Sequence, residues 1–212
     1  MSNGRAPGDP QLIGVPVFCT GSIALALQLT GYVGDGATSL GSPIAILLGT
    51  TGLFLLVAAL WAAAEGQSWP AGFFALFGGF WISYGFFVLG VINDWYGFNA
   101  AIEADPEAGV QDLTRTVAIF AIAFATIFFF LFISSLKLPA AYGLVIILVV
   151  AALCFVAAAY LTTPVDTDML NIAGYIAFVF AGVGMWIYLC VSIVSLGGKP
   201  LPLGPVLWPN KE

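Results

Sequence analysis

Six long apolar stretches follow one another along the chain, separated by short segments that hold most of the charged residues. Each stretch is apolar on every side and lacks the charged stripe of a helix in a soluble bundle. About 20 apolar residues suffice for a helix to cross the ~30 Å hydrocarbon core of a bilayer. The pattern therefore predicts six transmembrane helices, at approximately 12–34, 43–65, 70–93, 116–135, 139–161 and 170–198.

Prolines and polar clusters mark the ends of these stretches. Pro43, Pro70 and Pro139 are expected to open helices, because the first turn does not need the N–H that proline lacks. The longest interruption, from Asp94 to Arg115, is predicted to be a polar loop. The expected organisation is an N-terminal segment at 1–11, a transmembrane domain at 12–198 and a C-terminal tail at 199–212.

Composition supports a lipid environment. Apolar residues make up 61% of the chain and charged residues 8%, with a mean hydropathy of +1.05. Soluble domains carry roughly 25% charged residues, so this surface suits lipid and not water. We therefore predict an all-α integral membrane protein whose partner is the lipid bilayer. The net charge of −6 gives no indication of nucleic-acid binding.

Loop charges predict the orientation. Lysine and arginine mark the cytoplasmic side of membrane proteins. An even number of spans places both termini on one side, together with Arg5, Lys137, Lys199 and Lys211, whereas the opposite side has only Arg115. This asymmetry predicts a multi-pass protein of the plasma membrane with cytoplasmic N and C termini.

Several kinds of chemistry are excluded by residue usage. The chain has no histidine, which rules out histidine-ligated metals and histidine general bases. Cys19, Cys154 and Cys190 each lie inside an apolar stretch, and their spacing matches no zinc or disulfide pattern. No nucleophile–base pair is visible either, so we expect neither an enzyme nor a bound cofactor or metal.

The predicted membrane interior contains no charge near the centre of any helix. A proton relay needs a group that changes charge there, so a pore or facilitator for a small solute is favoured over a pump. Most hydroxyl groups in such helices bond their own backbone. The candidates for a polar pore lining are Gln28, Thr20, Thr50 and Thr51, with Gln28 favoured because a buried amide needs partners or water.

Glycines recur within the second, third and sixth stretches. Small residues let helices approach closely in lipid, where the hydrophobic effect does not hold them together. We expect most of these glycines to serve helix packing: Gly49, Gly52, Gly78, Gly79, Gly182 and Gly184.

Several short motifs occur in a fixed order along the whole chain. They are Asp9-Pro10-Gln11-Leu12-Ile13-Gly14-Val15 followed by Phe18, Gly31-Tyr32, Phe77-Gly78-Gly79-Phe80-Trp81, Leu136-Lys137, and Gly198-Lys199-Pro200-Leu201-Pro202-Leu203-Gly204. In order and spacing they resemble the acetate uptake transporter family, which is of the succinate–acetate permease type.

The resemblance implies passive or proton-accompanied transport of a small monocarboxylate such as acetate, through one pore per subunit, usually in a homo-hexamer. It also implies an apolar constriction of a phenylalanine, a tyrosine and a leucine. These positions correspond to Phe18, Phe77 and Val149, with Leu148 as the alternative to Val149. A narrow apolar ring gates by dewetting. The free-energy cost of desolvation there is smaller for the neutral form of a weak acid than for its anion.

Four positions depart from the family pattern. Asp9 replaces the leading asparagine of the first motif, and Phe77 lacks the hydroxyl of the constriction's tyrosine. Ala26 and Leu55 stand where relatives have an asparagine and a glutamine. These losses keep other permeants and roles open, namely another small acid, a small neutral solute in a urea or amide channel, or a non-transporting partner in a membrane complex.

Overall fold

The structure, a computed structural model, describes residues 8–32, 34 and 41–208. Six of its helices are long and apolar enough to cross a membrane, which confirms the predicted all-α fold with six spans. Arg5 and Lys211, two of the basic residues behind the predicted orientation, lie outside the described residues. The helices are α1 Gln11–Leu29, α2 Pro43–Ala64, α3 Ser68–Ile92, the short α4 Phe98–Ala104, α5 Pro106–Ser135, α6 Ala140–Tyr160 and α7 Thr167–Ser195.

The first helix ends at Leu29, whereas hydrophobicity predicted an end near Gly34. Gly31 has a positive φ of 67°, which ends the helix in a left-handed residue. The N–H of Tyr32 donates to the carbonyl of Leu27, and the N–H of Gly31 donates to that of Gln28, both at 3.1 Å. This paired capping satisfies carbonyls at the helix end, so apolar residues beyond it do not extend the helix.

The predicted polar loop from Asp94 to Arg115 is largely helical, so that prediction is wrong. It contains α4 and the first turns of α5. Asp105 caps α5 by accepting hydrogen bonds from the N–H groups of Glu107 and Ala108 at 3.2 and 3.1 Å. The cap and the proline that follows it start the helix among polar residues, outside the apolar stretch.

The second span contains a π-helical segment, Ile46–Gly52, between its first turn and the α-helical part Leu53–Ala64. Segments of this kind often occur at functional sites in membrane and soluble helices. Here the segment carries Thr51 against α1, where a Cβ at Gly21 would come within 2.5 Å of Oγ1 of Thr51. At its end, a Cβ at Gly52 would come within 2.5 Å of the Ile82 side chain of α3.

Contacts between neighbouring spans close into a ring. α1 packs on α7, α7 on α6 and α6 on α5, while on the other side α1 packs on α2 and α2 on α3. Aromatic rings join α3 to α5. Phe77 stacks on Phe128 with centroids 4.3 Å apart, and Phe80 meets Phe124 edge-on at 5.0 Å. The spans therefore surround a common interior.

Glycines permit some of these close contacts, as predicted, but not all of them. A Cβ at Gly78 would come within 3.0 Å of Leu56, and one at Gly184 within 2.7 Å of Sγ of Cys19. A side chain at Gly78 would push α3 away from α2, and a side chain at Gly184 would push α7 away from α1. Their companions Gly49, Gly79 and Gly182 have nothing within 4 Å of an added Cβ, so packing within the chain does not require them.

The outward surfaces of the spans are apolar. Leu60 is 73% exposed, Ile119 67% and Phe130 62%, and all three point away from the interior. An apolar surface of this kind is stable in hydrocarbon, where the backbone polar groups are satisfied within the helices. This exposure is what a chain embedded in lipid requires.

The start of α1, the start of α3, the turn between α5 and α6, and the C-terminal tail meet at one end of the ring, which we call the terminal end. The indole N–H of Trp69 donates to Oγ of Ser134 at 3.0 Å and joins α3 to α5 there. The backbone N–H of Trp208 in the tail donates to the carbonyl of Leu136 at 2.8 Å.

The described part of the tail packs across the first turn of α6. The N–H of Ala141 donates to the carbonyl of Leu203 at 2.9 Å, and the indole N–H of Trp186 in α7 donates to the carbonyl of Pro202 at 3.0 Å. These bonds tie the tail to α6 and α7. They also place Leu203 at the interior of the ring, where it contributes to a cavity.

Candidate functional site

Two cavities lie between α1, α3, α6 and α7. The larger one, which we call the terminal cavity, has a volume of about 250 Å³ and lies at the terminal end. Its wall contains no charged residue. It is formed by Gln11, Val15, Phe18, Trp69, Pro70, Phe73, Phe74, Leu138, Pro139, Tyr142, Val145, Gly184, Ile187 and Leu203.

The smaller one, which we call the central cavity, has a volume of about 30 Å³. Its wall is formed by carbon atoms, those of the Trp81 indole among them, and it too contains no charged residue. It is formed by Phe18, Leu25, Leu29, Phe77, Phe80, Trp81, Val149, Ala152, Leu153, Val156, Ala177 and Phe180.

The two cavities follow one another along the axis of the ring. In α3 the terminal cavity is lined by Phe73 and the central cavity by Phe77, one turn further from the terminal end. In α6 the same step leads from Val145 to Val149. Phe18 lines both cavities, so its ring stands between them.

A cluster of aromatic rings forms this partition. The centroid of Phe18 lies 4.9 Å from that of Phe77, in an edge-on contact, 5.9 Å from that of Phe180 and 6.3 Å from that of Phe73. Phe73 and Phe77 are themselves 4.6 Å apart. Such a cluster offers no hydrogen bond to water or solute, so an apolar barrier stands between the cavities.

The three residues expected at an apolar constriction lie together around the central cavity. Phe18, Phe77 and Val149 are all buried, with 2%, 1% and 5% of their surfaces exposed, and all three line that cavity. Leu148, the alternative in α6, is only partly buried and does not line either cavity. The geometry brings together residues from three helices that are far apart in sequence.

Three of the four polar candidates, Thr20, Thr50 and Thr51, lie away from both cavities. Thr20 is exposed on the outside of α1, and its hydroxyl donates to the carbonyl of Pro16 at 3.0 Å. Thr50 is also exposed, and Thr51 is buried between α1 and α2. Back-bonding satisfies a helix hydroxyl without a pore, which explains why Thr20 can face outwards.

Gln28 also does not line either cavity, but it belongs to a half-buried polar group close to the central one. Its side chain is a hydrogen-bond partner of the Tyr84 hydroxyl, and Tyr160 lies near that hydroxyl. Leu25 and Leu29, its neighbours in α1, line the central cavity. The half-buried amide thus has a hydrogen-bond partner just beyond the cavity wall.

A second polar group lies at the terminal cavity. The hydroxyl of Tyr142 in α6 donates to Oε1 of Gln11 in α1 at 2.6 Å. The side chain of Gln11 extends this link to Asp9, since its Nε2 lies 3.4 Å from Oδ2 of Asp9. Polar groups therefore stand at both ends of the aromatic barrier.

The remaining cavity residues are not identifiable from the sequence pattern. Tyr142 and Gln11 are isolated polar residues at the starts of apolar helices, and only their pairing across the ring makes them part of a site. Trp81 lies in the motif that carries the family resemblance, yet nothing in the motif shows that it lines a cavity. Phe180 is one aromatic among many in α7.

Two departures from the family pattern lie in tightly packed positions. Ala26 and Leu55 are fully buried and line neither cavity. A Cβ at Gly174 of α7 would come within 3.1 Å of the carbonyl oxygen of Ala26, so the two backbones approach closely there. Small residues such as Gly174 and Ala26 suit this close contact between the helices.

A solved structure described as the bacterial acetate channel SatP has the same fold as this chain. The TM-score is 0.73 at 18% sequence identity, and the match covers 93% of this chain and 99% of the other. No functionally curated protein matches the sequence. A family model described as GPR1/FUN34/yaaH matches residues 2–196, nearly the whole length. The resemblance seen in the motifs is thereby confirmed, and the chain belongs to the GPR1/FUN34/yaaH family.

Proposed function

We propose that this protein conducts small monocarboxylates such as acetate across a membrane, and that it is not an enzyme. The observation that carries the proposal is the aromatic barrier between two cavities on the axis of a six-helix ring. Membership in the GPR1/FUN34/yaaH family and the shared fold with a bacterial acetate channel support the same permeant.

The barrier favours the neutral acid over its anion. An ionised carboxylate in an apolar site costs far more than a neutral hydroxyl or carbonyl, which costs roughly 2–7 kcal/mol when it gains no hydrogen bond. Neither cavity wall carries a charge that would offset the larger cost. The permeant therefore brings its own proton across, and flux follows the gradient of the undissociated acid.

The polar groups at the two ends of the barrier define the entry and exit of the route. At the terminal cavity, Gln11 and Tyr142 offer hydrogen bonds to a carboxyl group that is losing water. Beyond the central cavity, Gln28 and Tyr84 offer the same on the other side. The solute is thus without polar partners mainly where the rings of Phe18 and Phe77 meet.

We propose further that each subunit contains one such route and that the subunits assemble as a homo-hexamer in the plasma membrane, with both termini cytoplasmic. The family resemblance supports the hexamer, and a mass of six chains in native mass spectrometry is the expected result. The basic residues Lys137 and Lys199 support the orientation, because the positive-inside rule places them in the cytoplasm.

Flux into proteoliposomes tests the proposed permeant. Purified protein is reconstituted, and uptake of radiolabelled acetate, lactate, urea and acetamide is compared with uptake by empty liposomes. We expect acetate uptake that rises as the external pH falls, because the neutral fraction grows. Absence of acid flux above empty liposomes would contradict the proposal, and uptake of urea or acetamide alone would assign the chain to neutral solutes.

The variant Val149→Phe tests the route itself. The central cavity holds only about 30 Å³, so an added ring fills it, and we expect acetate flux at least tenfold below wild type. Overpacking also costs about 1–3 kcal/mol of stability, so flux is normalised to folded protein measured by size exclusion. Val57→Phe is the matched control, because Val57 lies 41% exposed in α2 and lines neither cavity. Equal flux in both variants would place the route elsewhere.

A further inference from the structure

The indole of Trp81 leaves its hydrogen-bond donor unused. Trp81 is 1% exposed, and its Nε1 has no partner among the described residues. The large majority of buried polar side-chain atoms in native proteins have a hydrogen-bond partner, so the unpaired Nε1 of Trp81 requires an explanation. The indole N–H is a donor only, so its hydrogen bond can be completed only by an acceptor such as an oxygen atom.

Two other tryptophans in the chain have a hydrogen-bond partner for their indole N–H. The N–H of Trp69 donates to Oγ of Ser134 at 3.0 Å, and that of Trp186 donates to the carbonyl of Pro202 at 3.0 Å. The fold thus supplies acceptors to indoles at its terminal end, where polar groups are available. Around Trp81 it supplies apolar residues instead, including Phe80, whose ring meets the indole edge-on at 4.9 Å.

The position of Trp81 separates it from an ordinary packing defect. The other buried polar atom without a partner among the described residues, Oγ1 of Thr51, lies between α1 and α2, away from both cavities. Trp81 instead contributes ring carbons to the wall of the central cavity, together with Phe18, Phe77 and Val149. The unpaired donor therefore belongs to a residue in the wall of the smaller of the two cavities.

We infer that the indole N–H of Trp81 donates a hydrogen bond to an oxygen of the permeant carboxylic acid as the acid passes through the central cavity. The inference deepens the proposed function and rests on it. A carboxyl oxygen that crosses the aromatic barrier loses its hydrogen bonds to water. A hydrogen bond from the Trp81 N–H would replace one of them at that point. Trp81 is thus a specificity-determining residue that favours solutes with an acceptor oxygen over apolar solutes of equal size.

Two changes at position 81 test this role. Trp81→Phe removes the N–H but also reduces the ring, so a second protein carries 3-benzothienylalanine at 81, which keeps the shape and replaces N–H by sulfur. We expect both to lower acetate flux about threefold to tenfold, the range for one lost hydrogen bond. The benzothienyl protein should melt no lower than wild type, because its missing donor made no bond within the protein.

Trp95→Phe is the matched control. Trp95 is 58% exposed and lines neither cavity, so the same chemical change there should leave acetate flux unchanged. Equal flux in the benzothienyl protein and in wild type would overturn the inference. So would a benzothienyl protein that melts well below wild type, since its donor would then have a partner within the fold.

An NMR binding measurement, which does not depend on transport, tests the inference separately from the proposed function on which it rests. In protein labelled with ¹⁵N-tryptophan, the Trp81 indole signal is assigned by its absence in Trp81→Phe. Sodium acetate is titrated against sodium chloride at a pH near the pKa of acetic acid. A downfield shift of the Trp81 indole proton alone is expected. An unchanged signal overturns the inference even if acetate flux is normal, whereas a shift without flux contradicts only the proposed transport.

Discussion

Most hydroxyl groups in the spans are satisfied by their own helix. The hydroxyl of Ser22 donates to the carbonyl of Phe18 at 2.7 Å, and that of Thr30 donates to the carbonyl of Ala26 at 2.9 Å. These bonds consume polar groups that would otherwise be available to a solute. Thr51 is different, because its Oγ1 is buried and has no partner in the described part of the chain.

The substitution Thr51→Val should therefore be harmless or stabilising. Valine has nearly the same shape, and it removes a hydroxyl whose burial without a partner costs roughly 1–3 kcal/mol. We expect an apparent melting temperature equal to or above that of wild type in detergent. The matched change Thr30→Val removes a hydroxyl that makes a hydrogen bond, and it should lower stability by about 1 kcal/mol. A marked loss in Thr51→Val would show that the hydroxyl has a partner in the native protein.

Two of the helices begin at a capping aspartate. Asp105 caps α5, and Asp166 caps α7 by accepting hydrogen bonds from the N–H groups of Asp168 and Met169 at 3.0 and 3.1 Å. A capping side chain satisfies N–H groups that have no partner within the helix. In α5 the cap extends the helix several turns beyond the apolar stretch, so hydrophobicity alone placed its start too late.

Removal of the α5 cap should loosen the first turn of that helix. We expect Asp105→Ala to cost about 1 kcal/mol and to speed hydrogen exchange at the amides of Glu107 and Ala108. Asp105→Asn should retain most of the protection, because asparagine also caps well. The control Asp112→Ala changes an exposed acid within α5 and should leave those two amides protected. Equal exchange in Asp105→Ala and wild type would contradict the capping role.

The ring of spans places both ends of the described chain on one side. Trp208 and Leu136 bond there, close to the starts of α1 and α3. The acidic segment that contains α4 lies at the opposite side. An even number of spans requires this arrangement, and the loop charges then predict which side faces the cytoplasm.

Labelling of single cysteines on intact cells checks that orientation. In a chain whose native cysteines are replaced by alanine, Glu103→Cys and Lys199→Cys place an exposed thiol at each end of the ring. A membrane-impermeant maleimide should label Glu103→Cys on intact cells and Lys199→Cys only after lysis. The reverse pattern would invert the proposed orientation, and each variant is the control for the other.

The number and the approximate positions of the spans follow from the sequence by itself. Each backbone polar group in hydrocarbon must be satisfied within its own helix, so apolar length alone identifies a span. The motifs also indicated Phe18, Phe77 and Val149 as a group, through the family resemblance, and these residues share one cavity. Helix ends were less predictable, because caps such as those at Asp105 and Gly31 act through local backbone bonds.

Packing between the helices sets which residues face the axis of the ring. A helix that is apolar on all sides has no preferred face, so the pattern of residues does not fix its rotation. Rotation is set instead by close contacts, such as those at Gly78 and Gly184. Those contacts turn Thr20 outwards and leave Trp81 against the central cavity with an unpaired donor. The sequence determined a membrane protein of six helices, and packing among them determined where a solute could meet a polar group.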